Sequence, residues 1–403
     1  MTMQTFASSG NAITCRETHL VIQAVRAFLS GGTEDGLQPS LAQPLDWAQV
    51  EHKSDYHSVT PLVAYALKRY GGSLVPGEVR ERFHQRFLQN ARSNLVRLQE
   101  WLRIVQALQA AEIRAISLKG PALALLAYGD VALREFVDLD LLVRPEDVLK
   151  ARELLIREGY RLLSVLPGDS DAVLRRSANR QLDFVHNGQG TLQGTLIDLH
   201  WGALHEMFSF QLPSDQLFAT AQIQNYVGIS FLTLSPEYML LYLCAHGTKH
   251  CWLNLRWLCD VACHVHKAQG LDWELCIRLA EAANCDLVLK HSLLLVHQVL
   301  GLQLPPLINV YCEDAKAREL TDRAMSFLFR RDADLGYGEA LHYHLAFATS
   351  WRDRTHLVFE RLFVPEESDW REVRLPRSLQ FLYYAVKPLR HMRTRFRCSA
   401  ATK

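Results

Sequence analysis

Residues 137–143, Val-Asp-Leu-Asp-Leu-Leu-Val, constrain the fold more than any other stretch. β-Formers and apolar residues are broken there only by Asp138 and Asp140, so the segment is predicted to be a strand. Alternation puts both carboxylates on one face and Leu139, Leu141 and Val143 on the other. Two like charges that close repel, and their pairing makes physical sense mainly with a cation between them; an exposed strand end with two solvated acids is the competing reading. Upstream, Arg114 to Leu118 reads as a short strand, Lys119-Gly120-Pro121 as a tight turn, and Ala122 to Tyr128 as a short helix begun by proline and closed by Gly129-Asp130. Glycine lets the backbone approach a phosphate, N–H groups at a helix start favour an anion, and Lys119 adds positive charge.

A second acid interrupts a second apolar strand. Gln181 to His186 and Thr195 to Trp201 read as two strands joined by the turn Asn187-Gly188-Gln189-Gly190. In the latter, Ile197, Leu199 and Trp201 share one face while Asp198 and His200 share the other. Three aspartates on two strands suit two-metal phosphoryl or nucleotidyl transfer. Hard carboxylate oxygens prefer Mg²⁺ or Mn²⁺, and two ions roughly 3.5–4 Å apart stabilise both the attacking and the leaving oxygen. His200 is expected behind Asp198 or facing the acceptor.

The rest of the chain reads as largely helical. Thr14 to Leu29, Asp46 to Tyr56, Pro61 to Tyr70 and a long helix after Pro76 fill the N-terminal part; the long helix carries Val79, Phe83, Phe87, Leu95, Leu98, Leu102, Val105 and Leu108 on one face. Pro145 to Gly159 is a further helix, followed by a strand from Tyr160 to Val165. Beyond Trp201 the pattern returns to helix, with Ser235-Pro236-Glu237 as a helix start. One helix is expected from Tyr238 to about His266. Its polar face carries His246, Lys249, His250, Arg256 and Asp260. We expect Lys249 and Arg256 to meet a triphosphate or an anionic acceptor, and His246 or His250 to bind the acceptor or remove its proton. A set of polar residues holding the helix to the core is the alternative. Arg134 is expected on a phosphate or in an ion pair.

Composition narrows the partners. Lysine plus arginine (44) nearly balances aspartate plus glutamate (43), so no overall field marks a nucleic-acid binder. Residues 1–13 show no secretory pattern, and no stretch approaches the roughly 20 apolar residues of a membrane span. The expectation is a cytoplasmic protein whose nine cysteines are reduced thiols. Cys244, Cys251, Cys259 and Cys263 lack the close pairing of a zinc knuckle. The segment from Leu375 to Lys403 is basic, without an acid, and is read first as a solvated tail, with contact to a polyanion or membrane surface as the alternative.

Leu118-Lys-Gly-Pro-Ala-Leu123, Tyr128-Gly-Asp130, Arg134, Asp138-Leu-Asp-Leu-Leu-Val143 and Ile197-Asp-Leu-His-Trp201 together resemble the bacterial nucleotidyltransferase-like family of the DNA polymerase β-like superfamily. The resemblance implies an α+β fold. A mixed-sheet nucleotidyltransferase core (112–204) would be flanked by helical regions at 1–111 and 205–403. It implies that Asp138, Asp140 and Asp198 are the catalytic metal ligands and that Gly120 belongs to the nucleotide-binding turn. That superfamily commonly has serine after this glycine, where this chain has Pro121, so a hydroxyl contact to phosphate comes from elsewhere or is replaced by Lys119. The implied reaction is Mg²⁺- or Mn²⁺-dependent transfer of an NMP from an NTP to a small-molecule or macromolecular acceptor, releasing pyrophosphate. Two other readings stay open: a protein or tRNA end as acceptor, and a catalytically silent nucleotide-binding or scaffold protein.

Overall fold

The computed structural model describes residues 15–32, 36–163, 180–186, 194–205, 208–268, 270–330, 335–365, 369, 373 and 375–390. Four helices come first among the described residues, Arg16–Leu29, the short Gln38–Leu41, Trp47–Tyr56 and Thr60–Tyr70. Local sequence sets their starts: Asp46 accepts from the backbone N–H groups of Ala48 and Gln49, and Pro61 occupies a first-turn position where its missing N–H costs nothing. Helix Gly77–Ala110 then joins two cores. Its Val79 and Phe83 pack with the first helices, while Leu98, Trp101, Ile104, Val105 and Leu108 pack under the sheet. Leu95, expected on the buried face, is exposed, because the helix passes from one core to the other between Phe83 and Leu98.

The strands are β1 (Ala115–Ser117), β2 (Asp138–Val143), β3 (Tyr160–Leu162), β4 (Gln181–His186), β5 (Leu196–His200), β6 (Gln222–Tyr226) and β7 (Ile229–Thr233). They form one mixed sheet in the order β3-β4-β5-β2-β1-β7-β6. β2 pairs parallel with β5, and β1 parallel with β7; the other neighbours are antiparallel. Leu139, Leu141, Val143, Ile197, Leu199, Trp201, Leu182 and Phe184 all enter the core beneath the sheet. The opposite face carries the acids. The turn expected at Asn187 to Gly190, and the end of the strand expected to reach Val165, lie outside the described residues.

Two expectations need correction. The chain does not go straight to helix after Trp201: β6 and β7 form a hairpin that extends the sheet past β1. Its turn residues Val227 and Gly228 both have positive φ (49° and 78°), and a valine there hides a turn that usually announces itself with Asn-Gly. The single helix expected from Tyr238 is two, Pro236–Lys249 and Leu255–Lys267. Cys251 and Trp252 take positive φ (52° and 55°), and Trp252 folds back so that a Cβ on Gly247 would meet its ring at 2.4 Å. Ser235 caps the first of the two, accepting from the Tyr238 N–H at 3.4 Å.

Helices Trp273–Ala282, Asp286–Leu300, Pro306–Tyr311, Ala315–Leu328, Tyr337–Leu345 and Trp351–Phe363 follow, and a 3-10 turn, Arg377–Leu382, leads into a last helical stretch at 383–390. There the Lys387 ammonium donates to the carbonyls of Val364 (2.7 Å) and Glu360 (3.3 Å), so this cation of the expected solvated tail is an internal fastener. The eight described cysteines are free thiols, seven of them buried. Among the described residues no helix is long and apolar enough to cross a membrane.

Sheet and helices are bolted together at Asp260. Arg134, just before β2, donates to both of its oxygens (Nε–Oδ1 2.7 Å, the second nitrogen to Oδ2 2.9 Å), and the Tyr128 hydroxyl donates to Oδ1 at 2.7 Å. All three side chains are buried. Breaking one side of such a pair strands a charge. Arg134→Met should therefore cost about 3–5 kcal/mol in urea unfolding, and adding Asp260→Leu should cost less than the sum of the two single changes. A loss below about 1 kcal/mol for the single variant would remove this pair from the account.

Candidate active site

The site floor is built by strand register. Asp140 on β2 lies opposite Asp198 on β5, and Asp198 lies opposite Asp183 on β4, so carboxylates from three adjacent strands line up across one face. The strand β1 ends at Ser117, and the chain then turns sharply so that Lys119 reaches back over β2. Gly120 makes that turn possible. Its φ is +56°, and a Cβ would stand 3.0 Å from the Asp138 carbonyl oxygen. The expected 122–128 helix is a short α-turn, Gly120–Leu123, running into a π-turn, Ala124–Tyr128, closed by Gly129 at φ 79°.

Asp140 is almost wholly buried, and its two oxygens differ. Oδ1 lies 3.2 Å from the Lys119 ammonium and 3.3 Å from His200 Nε2. Oδ2 is buried with no hydrogen-bond partner among the described residues. Ligand atoms of Asp140, Asp198 and His200 come within 4.8 Å of one another. Asp138 lines the same cavity but stands outside this trio. An orphaned buried carboxylate oxygen beside a second carboxylate fits a hard divalent cation.

The two helices that follow the hairpin form the roof. All the side chains predicted for the site line one cavity of about 280 Å³, with the exception of Gly120 and Asp260. His246, Lys249 and His250 come from the end of the first helix, and Arg256 and Trp257 from the start of the second. The break between helices, not one continuous polar face, gathers them. Asp260 faces away into the Arg134 pair, so it does not join the polar face expected to meet substrate, and Arg134 takes the ion-pair alternative. Arg134 touches the cavity while its guanidinium holds Asp260. Lys249 has no ion-pair or hydrogen-bond partner among the described residues, and Arg256 Nε is buried without an acceptor. His250 stacks on Trp257 with ring centroids 4.8 Å apart, and His246 Nε2 lies 3.4 Å from the Lys119 ammonium.

Residues 43–301 match the model of a family described as an uncharacterised nucleotidyltransferase. The chain belongs to this family. The match takes in the sheet, the acid row and both roof helices of this nucleotidyltransferase-family protein. Comparison with curated proteins gives no match.

Burial and neighbours set the charges in the cavity. Burial would raise the Asp140 carboxyl, but Lys119 and His200 outweigh it and hold it far below the usual carboxylate range. Asp198 draws only a smaller effect from Lys119. Burial, then Asp140, Asp138 and Asp183, push it up to about 8, and burial with Asp140 also raises Asp138. Burial works against the Lys119 charge, yet Asp140 leads the groups that keep it above the ordinary lysine range. Burial followed by nearby cations lowers both histidines, His246 well below its usual value and His250 to about 3, and lowers Lys249. The roof histidines are therefore neutral at physiological pH.

Asp183 escaped sequence reading. Its signal was present: in Gln181-Leu182-Asp183-Phe184 polar and apolar residues alternate as they do in β2, and Leu182 and Phe184 are fully buried. Gln181 donates to Asp183 Oδ1 at 2.5 Å. His205 and Phe208 also line the cavity, from the segment where helix was expected.

Because the folded-state pKa of Asp198 is raised, the proton it binds stabilises the fold at low pH, and that contribution is lost as pH rises toward about 8. The metal-free protein should thus lose melting temperature relative to Asp198→Asn between about pH 5 and 8.5, and Mn²⁺ should restore it in the wild type alone. Parallel wild-type and variant curves in EDTA would contradict this.

Proposed function

We propose that this protein transfers a nucleoside monophosphate from an NTP to an acceptor hydroxyl or similar nucleophile, releasing pyrophosphate. The observation that carries the reading is the buried Asp140 Oδ2, without a hydrogen-bond partner among the described residues, on a carboxylate grouped with Asp198 and His200 in a cavity walled by cations. Asp140 and Asp198, with Asp138 beside them and His200 behind, would hold Mg²⁺ or Mn²⁺, and such an ion, when bound, neutralises phosphate charge and polarises the reacting oxygens. Such ligation belongs to the polymerase β-like chemistry that the sequence resembles.

The chain's own groups then divide the work. Lys119 fixes the orientation of Asp140 from the turn that approaches the donor phosphates. Lys249 and Arg256 offer unsatisfied N–H donors to anionic oxygens of the triphosphate, which would complete their pairing. The acceptor oxygen attacks the α-phosphorus, the bond from that phosphorus to the bridging oxygen of the leaving pyrophosphate breaks, and the acceptor proton passes toward Asp198. In this reading Asp198 stands on the acceptor side of the row and is the group assigned to take that proton. His246 and His250, kept neutral by burial and cations, orient the acceptor by hydrogen bonding and leave proton removal to Asp198.

Incubation with each α-labelled NTP, Mg²⁺ and cell extract tests this. Label should move to an acceptor, and Asp140→Asn should lower transfer by roughly 10³-fold or more while keeping the fold. Metal-dependent NTP binding without transfer in any extract would favour a silent nucleotide-binding protein. Neither binding nor transfer would refute the proposal.

A further inference from the structure

A nitrogen shares the acid row. Alternation on β5 puts His200 on the Asp198 side of the sheet, two residues on from the point where Asp198 pairs with Asp140. One ligand atom each from Asp140, Asp198 and His200 lie within 4.8 Å of one another, whereas Asp138, the other acid of β2, is outside that group. Ligands on one octahedral ion, at bonds of about 2.1 Å, stand about 3 Å apart when adjacent and about 4.2 Å apart when opposite. The trio therefore closes on an ion with a shift of roughly half an ångström at most. His200 Nε2 lies 3.3 Å from Asp140 Oδ1, near the spacing of adjacent ligands and longer than the about 2.7–2.9 Å of a charge-assisted hydrogen bond. That oxygen already has the Lys119 ammonium at 3.2 Å. The imidazole, largely buried on the cavity wall, makes no other hydrogen bond among the described residues. With its proton on Nδ1, such a ring presents the Nε2 lone pair to a cation held by both carboxylates.

The donor set selects the ion. Mg²⁺ takes oxygen ligands and gives up its waters reluctantly, whereas first-row transition ions accept imidazole beside carboxylate. We propose that His200 Nε2 is a direct ligand, with Asp140 and Asp198, of one ion in the row, and that this two-carboxylate, one-imidazole set takes Mn²⁺ ahead of Mg²⁺. The inference deepens the nucleotidyl-transfer reading and rests on its metal. A histidine that only supported a bound carboxylate would also weaken metal binding when replaced, by about 10–100-fold. Affinity alone does not separate the two roles; a bond from nitrogen to the metal does.

Pulsed electron paramagnetic resonance of the full chain with substoichiometric Mn²⁺, prepared with ordinary and with heavy-nitrogen histidine, tests it. A bonded histidine nitrogen should couple to the manganese spin, the coupling should change on labelling, and it should vanish in His200→Asn. In competition titrations the preference for Mn²⁺ over Mg²⁺ should fall at least about tenfold in the same variant. No bound Mn²⁺, bound Mn²⁺ without a histidine coupling, a coupling that His200→Asn leaves intact, or an unchanged ion preference would overturn the proposal. Should the variant unfold, as circular dichroism would show, a wild-type crystal soaked in manganese chloride decides. Manganese bonded to Nε2 supports the assignment, and an imidazole hydrogen-bonded to Asp140 away from the ion overturns it. Histidine-coupled Mn²⁺ in a protein that binds no NTP would uphold this ligand set and refute the nucleotide reading, while label transfer with Mn²⁺ free of histidine coupling would do the reverse.

Discussion

The parallel pairing of β2 with β5 is the constraint on which the site depends. It sets Asp140 opposite Asp198, and the antiparallel addition of β4 brings Asp183 into the same row. A register slip of one residue would turn these acids into the core and its leucines into the cavity. The register is locked from below: Leu139, Leu141, Ile197, Leu199, Leu182 and Phe184 are fully buried on the opposite face. Packing energy thus holds together carboxylates that would repel one another. Lys119 and His200 relieve one oxygen of one of them. The remaining demand, concentrated on Asp140 Oδ2 and Asp198, is the physical reason to expect a divalent cation there.

Above the row, the roof comes from an interruption. Helices Pro236–Lys249 and Leu255–Lys267 meet at a bend where Trp252 closes over Gly247, and the bend brings His246, Lys249, His250, Arg256 and Trp257 to one cavity. The Arg134–Asp260 pair, with Tyr128, ties this roof to the segment that enters β2. One charged pair is thereby used for position, while Lys249, without a side-chain partner among the described residues, and Arg256, whose Nε has no acceptor among them, line the space where an anion would lie.

Much of the floor was legible because strand alternation is a local property. Asp138, Asp140, Asp198 and His200 could be assigned to faces from their neighbours alone, and the helix starts at Asp46 and Ser235 from their side-chain chemistry. What failed was turn chemistry carried by unsuitable residues. Val227 and the Cys251-Trp252 pair adopt positive φ because tertiary packing imposes it, and so the β6–β7 hairpin and the helix break left no local mark. Pairings distant in sequence were hidden for the same reason. Asp260 looked available to substrate, and the partner of an Arg134 ion pair could not be named, until the fold brought the two together. Asp183 sat in a readable pattern, but only the sheet order shows that its strand lies beside Asp198.

The central claim is that the acid row is a metal centre serving a nucleotide. Anomalous scattering from crystals grown with Mn²⁺ and a non-hydrolysable NTP analogue tests it most directly. The account predicts a manganese peak bonded to Asp140 Oδ2 and Asp198, with the triphosphate extending toward Lys249 and Arg256. Nucleotide bound in the cavity with no peak at the two aspartates, or manganese held elsewhere on the chain, would contradict it.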